Sequence, residues 1–256
     1  MKKILHITFI LLFISGCIGN NIKKDENTII KKYTNVQPKE WSENIDGVVK
    51  TLPTNEKILA LTLDLCGSKN DSLDENLVEF LGENEIPVTL FVNYRWIQKF
   101  PEKFEKLSKN PLVEIENHGF RHVPASLNGK SIYKIKGTED AKELWSEVKV
   151  NADLIKKLTG RMPKFFRSGT AYYDEYAVAQ IYDMGFMPVG FNILGDAGAT
   201  YSAKQVKNAL LKSKAGDIII AHANHPEKET GAGLKSVLSV LKSQGFKFVK
   251  LEDYLK

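Results

Sequence analysis

Strand-like and helix-like segments alternate along most of this chain, and that alternation restricts the folds open to it. Continuous apolar runs typical of strands buried on both faces are KILALTLDL, IPVTLFVN, PLVEIEN, GFMPVGFNI, GDIIIAH and GFKFVKL. Between them lie segments with helical spacing of apolar residues, namely SLDENLVEFLGEN, residues 139–159, SAKQVKNALLK and GLKSVLSVLK. We therefore predict one α/β domain built on a mainly parallel sheet or barrel.

Polar residues that can carry chemistry stand at the ends of the predicted strands. Asp64 ends the first strand, ENHGFRH ends the third, and FFRSGT follows the longest helical pattern. Asp196 follows GFNIL, and His222 ends GDIIIAH. Because functional groups of such folds gather at the carboxyl ends of the strands, we expect these clusters to meet on one rim.

The histidines are distributed unevenly along the chain. Four of the five lie in two short clusters, HGFRH and HANH. His118 and His122 are four residues apart, so two imidazoles can reach one metal ion from a single side, and Gly119 lets the backbone turn beneath them. The alternative is that both are polar residues of a loop. We predict a metal site, because the other polar clusters are expected on the same rim.

The order and spacing of these clusters resemble the polysaccharide deacetylases of the NodB type, carbohydrate esterase family four. The resemblance covers about residues 55–256. The five family motifs are matched in order by Thr62-Leu63-Asp64-Leu65-Cys66-Gly67, His118 with His122, Arg167-Ser168-Gly169-Thr170, Asp196, and Ile220 with His222. The resemblance implies an irregular (β/α) barrel of seven strands and a hydrolase that depends on a divalent metal.

The resemblance also implies a role for each matched residue. Asp64 would be the catalytic base, and Arg167 would hold it ionised and aligned. His222 would be the general acid, with Asp196 keeping its imidazole charged and oriented. The remaining expected site residues are the metal ligands His118 and His122, Thr170 beside the oxyanion, and Tyr172 and Tyr173, which either stack on a sugar ring or pack on the barrel wall.

The first motif departs from the family pattern, because Leu65 replaces a metal-binding aspartate. Leucine cannot bind a metal ion, which leaves two histidines. A third ligand would come from Asp64, Cys66, Asp71 or His225, and a thiolate from Cys66 would favour a soft metal such as zinc. We expect zinc, with cobalt or another divalent ion as alternatives, and a weakly bound or absent metal stays open.

The N-terminus has the pattern of an exported lipoprotein. Lys2 and Lys3 precede the apolar run ILHITFILLFI, and Ile14-Ser15-Gly16-Cys17 resembles a bacterial lipobox. We predict a signal peptide over residues 1–16 and a lipid on Cys17, against the alternative of an ordinary secreted or tethered protein. The lipid would hold the protein on the outer side of the cytoplasmic membrane or in the cell envelope.

The segment after the predicted signal peptide differs in composition from the rest of the chain. Residues 17–50 are rich in Asn, Lys and Asp with little periodicity, and we predict a tether there. Residues 51–256 are predicted to be the catalytic domain. The formal net charge of +5 is mild and scattered, so no nucleic-acid partner is predicted, and no protein partner is evident.

These observations predict a metal-dependent hydrolase that removes acetyl groups from an N-acetylated or O-acetylated polysaccharide of the envelope or outside the cell. The expected partners are that acetylated glycan and the membrane, which is reached through the N-terminal lipid. Because Leu65 replaces a ligand, two alternatives stay open. One is a catalytically weak or inactive glycan-binding protein, and the other is an amidase that acts on a non-carbohydrate C–N bond.

Overall fold

The computed structural model of this protein describes residues 25–256. The strands in this part of the chain are β1 (Ile58–Leu65), β2 (Val88–Val92), β3 (Val113–Asn117), β4 (Ser131–Ile132), β5 (Ile135–Lys136), β6 (Phe165–Phe166), β7 (Met187–Pro188), β8 (Ile193–Leu194), β9 (Ile218–His222) and β10 (Lys247–Val249). The main sheet is parallel and has the order β7-β6-β3-β2-β1-β9-β8, with β10 pairing to the start of β1. Its seven ordered strands curl into a half-barrel, so the predicted irregular barrel is confirmed.

Helices connect the strands and cover the outer face of the sheet. They are α1 (Glu26–Tyr33), α2 (Glu75–Glu83), α3 (Tyr94–Lys99), α4 (Pro101–Ser108), α5 (Ala141–Thr159), α6 (Glu175–Asp183), α7 (Ala203–Leu210) and α8 (Thr230–Ser243), with a 3₁₀ turn at Leu251–Asp253. Aspartates start four of these helices: the carboxylates of Asp25, Asp74, Asp140 and Asp174 accept hydrogen bonds from backbone N–H groups of α1, α2, α5 and α6.

Alternation along β1 decides which side chains face the site. The odd-numbered leucines of Leu59–Leu65 lie in the core cluster beneath the helices. Ile58 and Ala60 lie instead in the cluster inside the half-barrel. Because side chains alternate along a strand, Asp64 and then Cys66 follow on the inner face at its carboxyl end. Leu65 is therefore a core residue between two residues that face the site.

The structure corrects the predicted tether from residue 26 onwards. Ile29 and Tyr33 of α1 are buried, at 1% and 4% exposure, in a core cluster that they share with residues of α5 and α6. Farther along, Val49 pairs with Val189 and Thr51 pairs with Asp217, so the chain runs across the opening between the edges of the half-barrel. Composition alone predicted a linker because the few apolar residues here are widely spaced.

The predicted signal peptide and Cys17 lie outside the described residues. Between residues 25 and 256 no helix is both long enough and apolar enough to cross a membrane. The longest helix, α5, has 19 residues and carries charged side chains along its length.

Candidate active site

The polar strand ends meet at the carboxyl edge of the sheet. Asp64, one residue before the end of β1, lies in register with His222, the last residue of β9. The last residues of β3 and β6 are also in register, so the residues that directly follow them, His118 and Arg167, leave the sheet side by side. Parallel strands therefore bring these four residues to one rim.

Asp64 forms a buried ion pair with Arg167. Nη1 of Arg167 donates to Oδ1 of Asp64 at 2.8 Å, while Nη2 and Nε donate to the backbone oxygens of Gly190 and Val189 at 2.9 and 3.3 Å. Burial alone would raise the pKa of Asp64, but the charge of Arg167 and two nearby histidines outweigh burial and hold that pKa below its ordinary value. Asp64 is therefore an ionised carboxylate that is almost completely shielded from solvent.

His222 forms the second charged pair, with Asp196. Nδ1 of His222 lies 3.0 Å from Oδ1 of Asp196, and the His222 backbone N–H donates to Oδ2 at 2.8 Å. Thr230, the first residue of α8, donates from Oγ1 to the same Oδ2 at 3.0 Å. Burial alone would lower the pKa of His222, but Asp196 outweighs burial and raises that pKa well above its ordinary value. The imidazole is therefore both oriented and protonated.

Cys66, His118 and His122 form a cluster of donor atoms beside these pairs. One donor atom from each lies within 4.8 Å of the others. Sγ of Cys66 is 3.8 Å from Nε2 of His118, whose Nδ1 lies 2.9 Å from the backbone oxygen of Arg167. Since that oxygen can only accept, Nδ1 carries the proton, and Nε2 faces the cluster with its lone pair in the neutral ring.

Two observations show that this cluster fits a divalent ion. Nε2 of His122 is buried and makes no hydrogen bond within the described part of the chain, which is rare for a buried polar atom that has no ligand. Burial alone would raise the pKa of the Cys66 thiol, but His122, His118 and His222 outweigh burial and lower it well below its ordinary value. One thiolate and two imidazoles are donors that zinc prefers, and a catalytic site keeps its fourth position open.

One carboxylate that was not predicted from the sequence holds the loop of residues 118–124, which we call the histidine loop. Glu147 of α5 is 1% exposed, and its Oε1 accepts from the backbone N–H groups of Arg121 at 3.0 Å and His122 at 2.9 Å. Its Oε2 accepts from the Arg121 N–H at 2.8 Å. Burial raises the pKa of Glu147, although these donors act against it. The only signal in the sequence is an acid next to Leu144 and Val148 on the apolar face of α5.

The histidine loop also depends on close backbone packing. His122 has a φ of 62°, a left-handed conformation that is uncommon for a residue with a Cβ atom. A Cβ atom on Gly119 would lie 2.4 Å from Oε1 of Glu147, and one on Gly169 would lie 2.3 Å from the carbonyl carbon of His122. Both glycines are therefore required for the loop to reach its position, and the surrounding contacts hold His122 in a strained conformation.

Buried amides support the same loop from the strand ends. Nδ2 of Asn93 donates to the backbone oxygens of His118 and Gly119 at 3.0 and 2.7 Å. Oδ1 of Asn117 accepts from the Gly119 N–H at 2.9 Å and from Nδ2 of Asn151 at 2.7 Å. Asn93 follows β2 directly and Asn117 ends β3, so a search for polar residues at strand ends would have found both.

The structure distinguishes among the four candidates for the third metal ligand. Asp71 and His225 contact each other, with Oδ1 and Nε2 3.5 Å apart, and neither belongs to the donor cluster. Asp64 is engaged by Arg167 through its Oδ1 atom, and its Oδ2 lies 3.5 Å from Nε2 of His118 without joining the donor cluster. Cys66 is the candidate whose donor atom lies in the cluster with both histidines.

The residues predicted to contact the substrate fall into different environments. Tyr173 is completely buried, its hydroxyl accepts from the Ser168 N–H at 2.9 Å, and burial raises its pKa to about 12. Of the two alternatives given for Tyr173, the structure therefore favours packing on the barrel wall over stacking on a sugar ring. Tyr172 is half-buried at the surface. Thr170 is also half-buried, and its N–H donates no hydrogen bond to the described residues, so it can serve a ligand.

Acid and base groups beside a cluster that fits a metal are typical of metal-assisted hydrolases on barrel folds. The family model for polysaccharide deacetylases matches residues 51–189, more than half of the chain, so the chain belongs to that family. The peptidoglycan-N-acetylglucosamine deacetylase of Bacillus cereus is 24% identical over 209 residues, which cover 80% of this chain and 91% of that protein.

Solved structures share the fold. A peptidoglycan N-acetylglucosamine deacetylase in complex with an N-oxidanyl-benzamide compound has a TM-score of 0.69 at 20% identity, covering 81% of this chain and 92% of its own. A carbohydrate esterase family 4 pseudoenzyme of Bacillus anthracis has a TM-score of 0.67 at 18% identity, covering 84% and 71%. An acetyl xylan esterase of Clostridium thermocellum in complex with cobalt has a TM-score of 0.63 at 21% identity, covering 77% and 89%.

Proposed function

We propose that this protein is a metal-dependent deacetylase that removes acetyl groups from an N-acetylated, or alternatively O-acetylated, glycan of the cell envelope. One observation carries the proposal. Asp64, ionised, and His222, protonated, lie in register on neighbouring strands beside the donor cluster. Hydrolysis of an amide needs an ionised base and a protonated acid at the same pH, and the opposite pKa shifts of Asp64 and His222 provide both. Family membership and the name of the Bacillus cereus relative support a glycan as the substrate.

The residues of the rim divide the reaction between them. A divalent ion in the donor cluster would polarise the acetyl carbonyl and lower the pKa of a water molecule. Asp64, held ionised by Arg167, takes the proton of the attacking water, and the N–H of Thr170 donates to the oxyanion as the water adds to the carbonyl. His222 gives its proton to the leaving amine as the C–N bond breaks, and Asp196 holds the imidazole in place.

Zinc is the ion we propose for the cluster of Cys66, His118 and His122. A thiolate and two imidazoles suit zinc better than harder ions that prefer oxygen ligands. Cobalt is the alternative, since the acetyl xylan esterase is known in complex with that ion.

We also propose export and attachment to the membrane through a lipid on Cys17. The basic start, the apolar run and the lipobox-like end of residues 14–17 support this proposal. Because α1 begins at Glu26 and packs on the domain, at most about 30 Å of extended chain separates Cys17 from the folded part. The enzyme would therefore work close to the membrane surface.

The replacement at Leu65 and the pseudoenzyme of the same fold favour one alternative, a glycan-binding protein without turnover. Acetate release from N-acetylglucosamine oligomers separates the two functions. The full chain is stripped of metal and then given zinc, cobalt or neither, with Asp64→Asn as a control that removes the base but keeps its size. Release that needs metal and is lost in the control supports the deacetylase. Oligomer binding without release under any condition supports the binding protein.

A further inference from the structure

Three aromatic side chains from separate segments meet near the site. We call Trp41, Tyr133 and Tyr172 the aromatic platform. The ring centroids of Trp41 and Tyr172 are 5.7 Å apart, and those of Tyr133 and Tyr172 are 6.0 Å apart. Tyr133 is 68% exposed, while the other two are half-buried. Of these three residues, only Tyr172 was predicted from the sequence to contact the substrate.

Backbone contacts fix the segment that carries Trp41. Ser42 and Tyr173 exchange two backbone hydrogen bonds of 3.2 and 3.0 Å, which places the tryptophan beside the next ring of the platform. The two residues before Trp41 are also held, because the carboxylate of Glu175 accepts hydrogen bonds from the N–H groups of Lys39 and Glu40 at 2.8 and 3.0 Å. The platform is therefore organised before any ligand arrives, which reduces the entropy lost on binding.

The third ring stands at the tip of a hairpin in an unfavourable conformation. Tyr133 and Lys134 connect β4 to β5 with φ values of 52° and 64°. Two-residue turns of this kind prefer asparagine and glycine, and a bulky residue there is strained. Because the exposed ring buries little surface against the protein, packing does not explain an aromatic residue at this position. Strain of this sort is often kept where a side chain must meet a ligand.

The platform is connected to the rim of the active site. Ser168, directly after Arg167, donates from Oγ to the backbone oxygen of Tyr172 at 2.9 Å. Arg167 and Tyr172 are five positions apart, which corresponds to at most about 18 Å of extended chain. The base of the hairpin is tied to the histidine loop, because the N–H of Thr138 donates to the backbone oxygen of Pro124 at 3.2 Å. A short glycan whose acetylated unit lies at the rim can therefore reach the platform.

We propose that the aromatic platform binds a sugar ring of the glycan, next to the unit that loses its acetyl group. A pyranose ring has an apolar face of C–H groups and a polar edge, which matches an aromatic surface with hydroxyl groups at its border. This inference rests on the proposed function and adds which residues hold the neighbouring unit of the glycan. Trp41 lies outside residues 51–189, whereas Tyr133 and Tyr172 lie inside, so the platform combines the segment that matches the family with a residue that precedes it.

Binding of a defined sugar tests the platform independently of turnover. The probes are a tetramer of N-acetylglucosamine and the single sugar, titrated by NMR into the full chain stripped of metal, so that the tetramer is not deacetylated during the titration. Trp41→Ala and Tyr133→Ala remove a ring, whereas Trp41→Phe and Tyr133→Phe keep one. We expect Trp41→Ala to weaken tetramer binding about tenfold and Tyr133→Ala about threefold, with both phenylalanine variants near wild type. Binding of the single sugar should not change.

Zinc content and thermal unfolding of each variant show whether the fold is intact. Tyr133 is exposed, so its alanine variant keeps the test valid even if Trp41→Ala fails to fold. Equal tetramer affinity in wild type and Tyr133→Ala, or no tetramer binding by wild type, would overturn the platform. Tetramer binding that depends on the rings, without acetate release, would leave the platform in place and refute the deacetylase.

Discussion

Glu147 provides the most direct test of how the metal site is held. Its carboxylate accepts backbone hydrogen bonds from Arg121 and His122, so the position of His122 depends on a residue that touches neither metal nor substrate. The variant Glu147→Gln has almost the same size and shape but offers one acceptor oxygen instead of two. We expect it to bind zinc more weakly and to unfold more easily than the wild type.

The magnitude follows from the contacts that are lost. If the glutamine oxygen keeps the place of Oε1, the Arg121 N–H keeps its bond of 3.0 Å to that oxygen but loses the bond of 2.8 Å to Oε2, where the amide group now stands. A hydrogen bond to a charged group contributes about 1.5–3 kcal/mol, and neutralising an acid whose pKa is raised by burial offsets part of that loss. We expect the free energy of unfolding to fall by about 1–2 kcal/mol. Zinc affinity should fall about tenfold, as is typical when a residue that supports a ligand is removed.

Glu143→Gln is the matched control. Glu143 lies one turn earlier on α5 and contacts Nη2 of Arg121 at 2.9 Å, but this pair is more than one third exposed and does not hold the loop backbone. Its loss should cost less than about 1 kcal/mol and leave zinc affinity unchanged. Competition with a chromogenic chelator measures the affinity, and denaturant unfolding of the zinc-free chain measures stability. If both variants bind zinc equally well, Glu147 does not position His122.

Three further predictions concern the chemistry. Cys66→Ser should weaken zinc binding at least about 100-fold and abolish the thiolate absorption of the cobalt form, because a hydroxyl group is a poor ligand; unchanged affinity would remove Cys66 from the ligand set. His222→Ala should lower turnover by about 10²–10⁴-fold and leave zinc content intact, as expected for a general acid; loss of zinc would indicate a structural role instead. The pH profile should fall on the acid side as Asp64 is protonated and on the alkaline side as His222 loses its proton. Asp196→Asn should move only the alkaline limb, towards lower pH, and a profile identical to that of the wild type would refute this pairing.

Strand alternation explains why the sequence located part of the site so well. An acid or a histidine at the end of an apolar strand is visible without coordinates, and so Asp64 and His222 were predicted at the rim where the structure places them. The same alternation places Cys66 on the inner face and Leu65 in the core. From the sequence alone, however, four residues remained candidates for the third metal ligand. The face of a strand on which a side chain lies follows from its position in the strand. Whether a residue beyond the strand end, such as Cys66, keeps to the same alternation depends on the conformation of the loop.

Contacts between distant segments were harder to foresee. Glu147 looked like one more helical acid, since nothing in α5 indicates that backbone N–H groups of a loop 25 residues earlier point at it. Tyr172 and Tyr173 are adjacent and chemically alike, and only packing decides that one stays at the surface while the other is buried. The N-terminal segment resembled a linker because its buried residues are few and far apart.

The sequence by itself determined the fold class and the strand-end residues, because the spacing of apolar residues and the polar residues that end each run are properties of neighbouring positions. The tertiary structure alone decided which thiol joins the two histidines, which carboxylate holds their loop, and which aromatic rings gather beside the rim. Those arrangements join residues up to 131 positions apart, from Trp41 to Tyr172. Local periodicity carries no information about such pairs, since they meet only when the curled sheet brings their segments together.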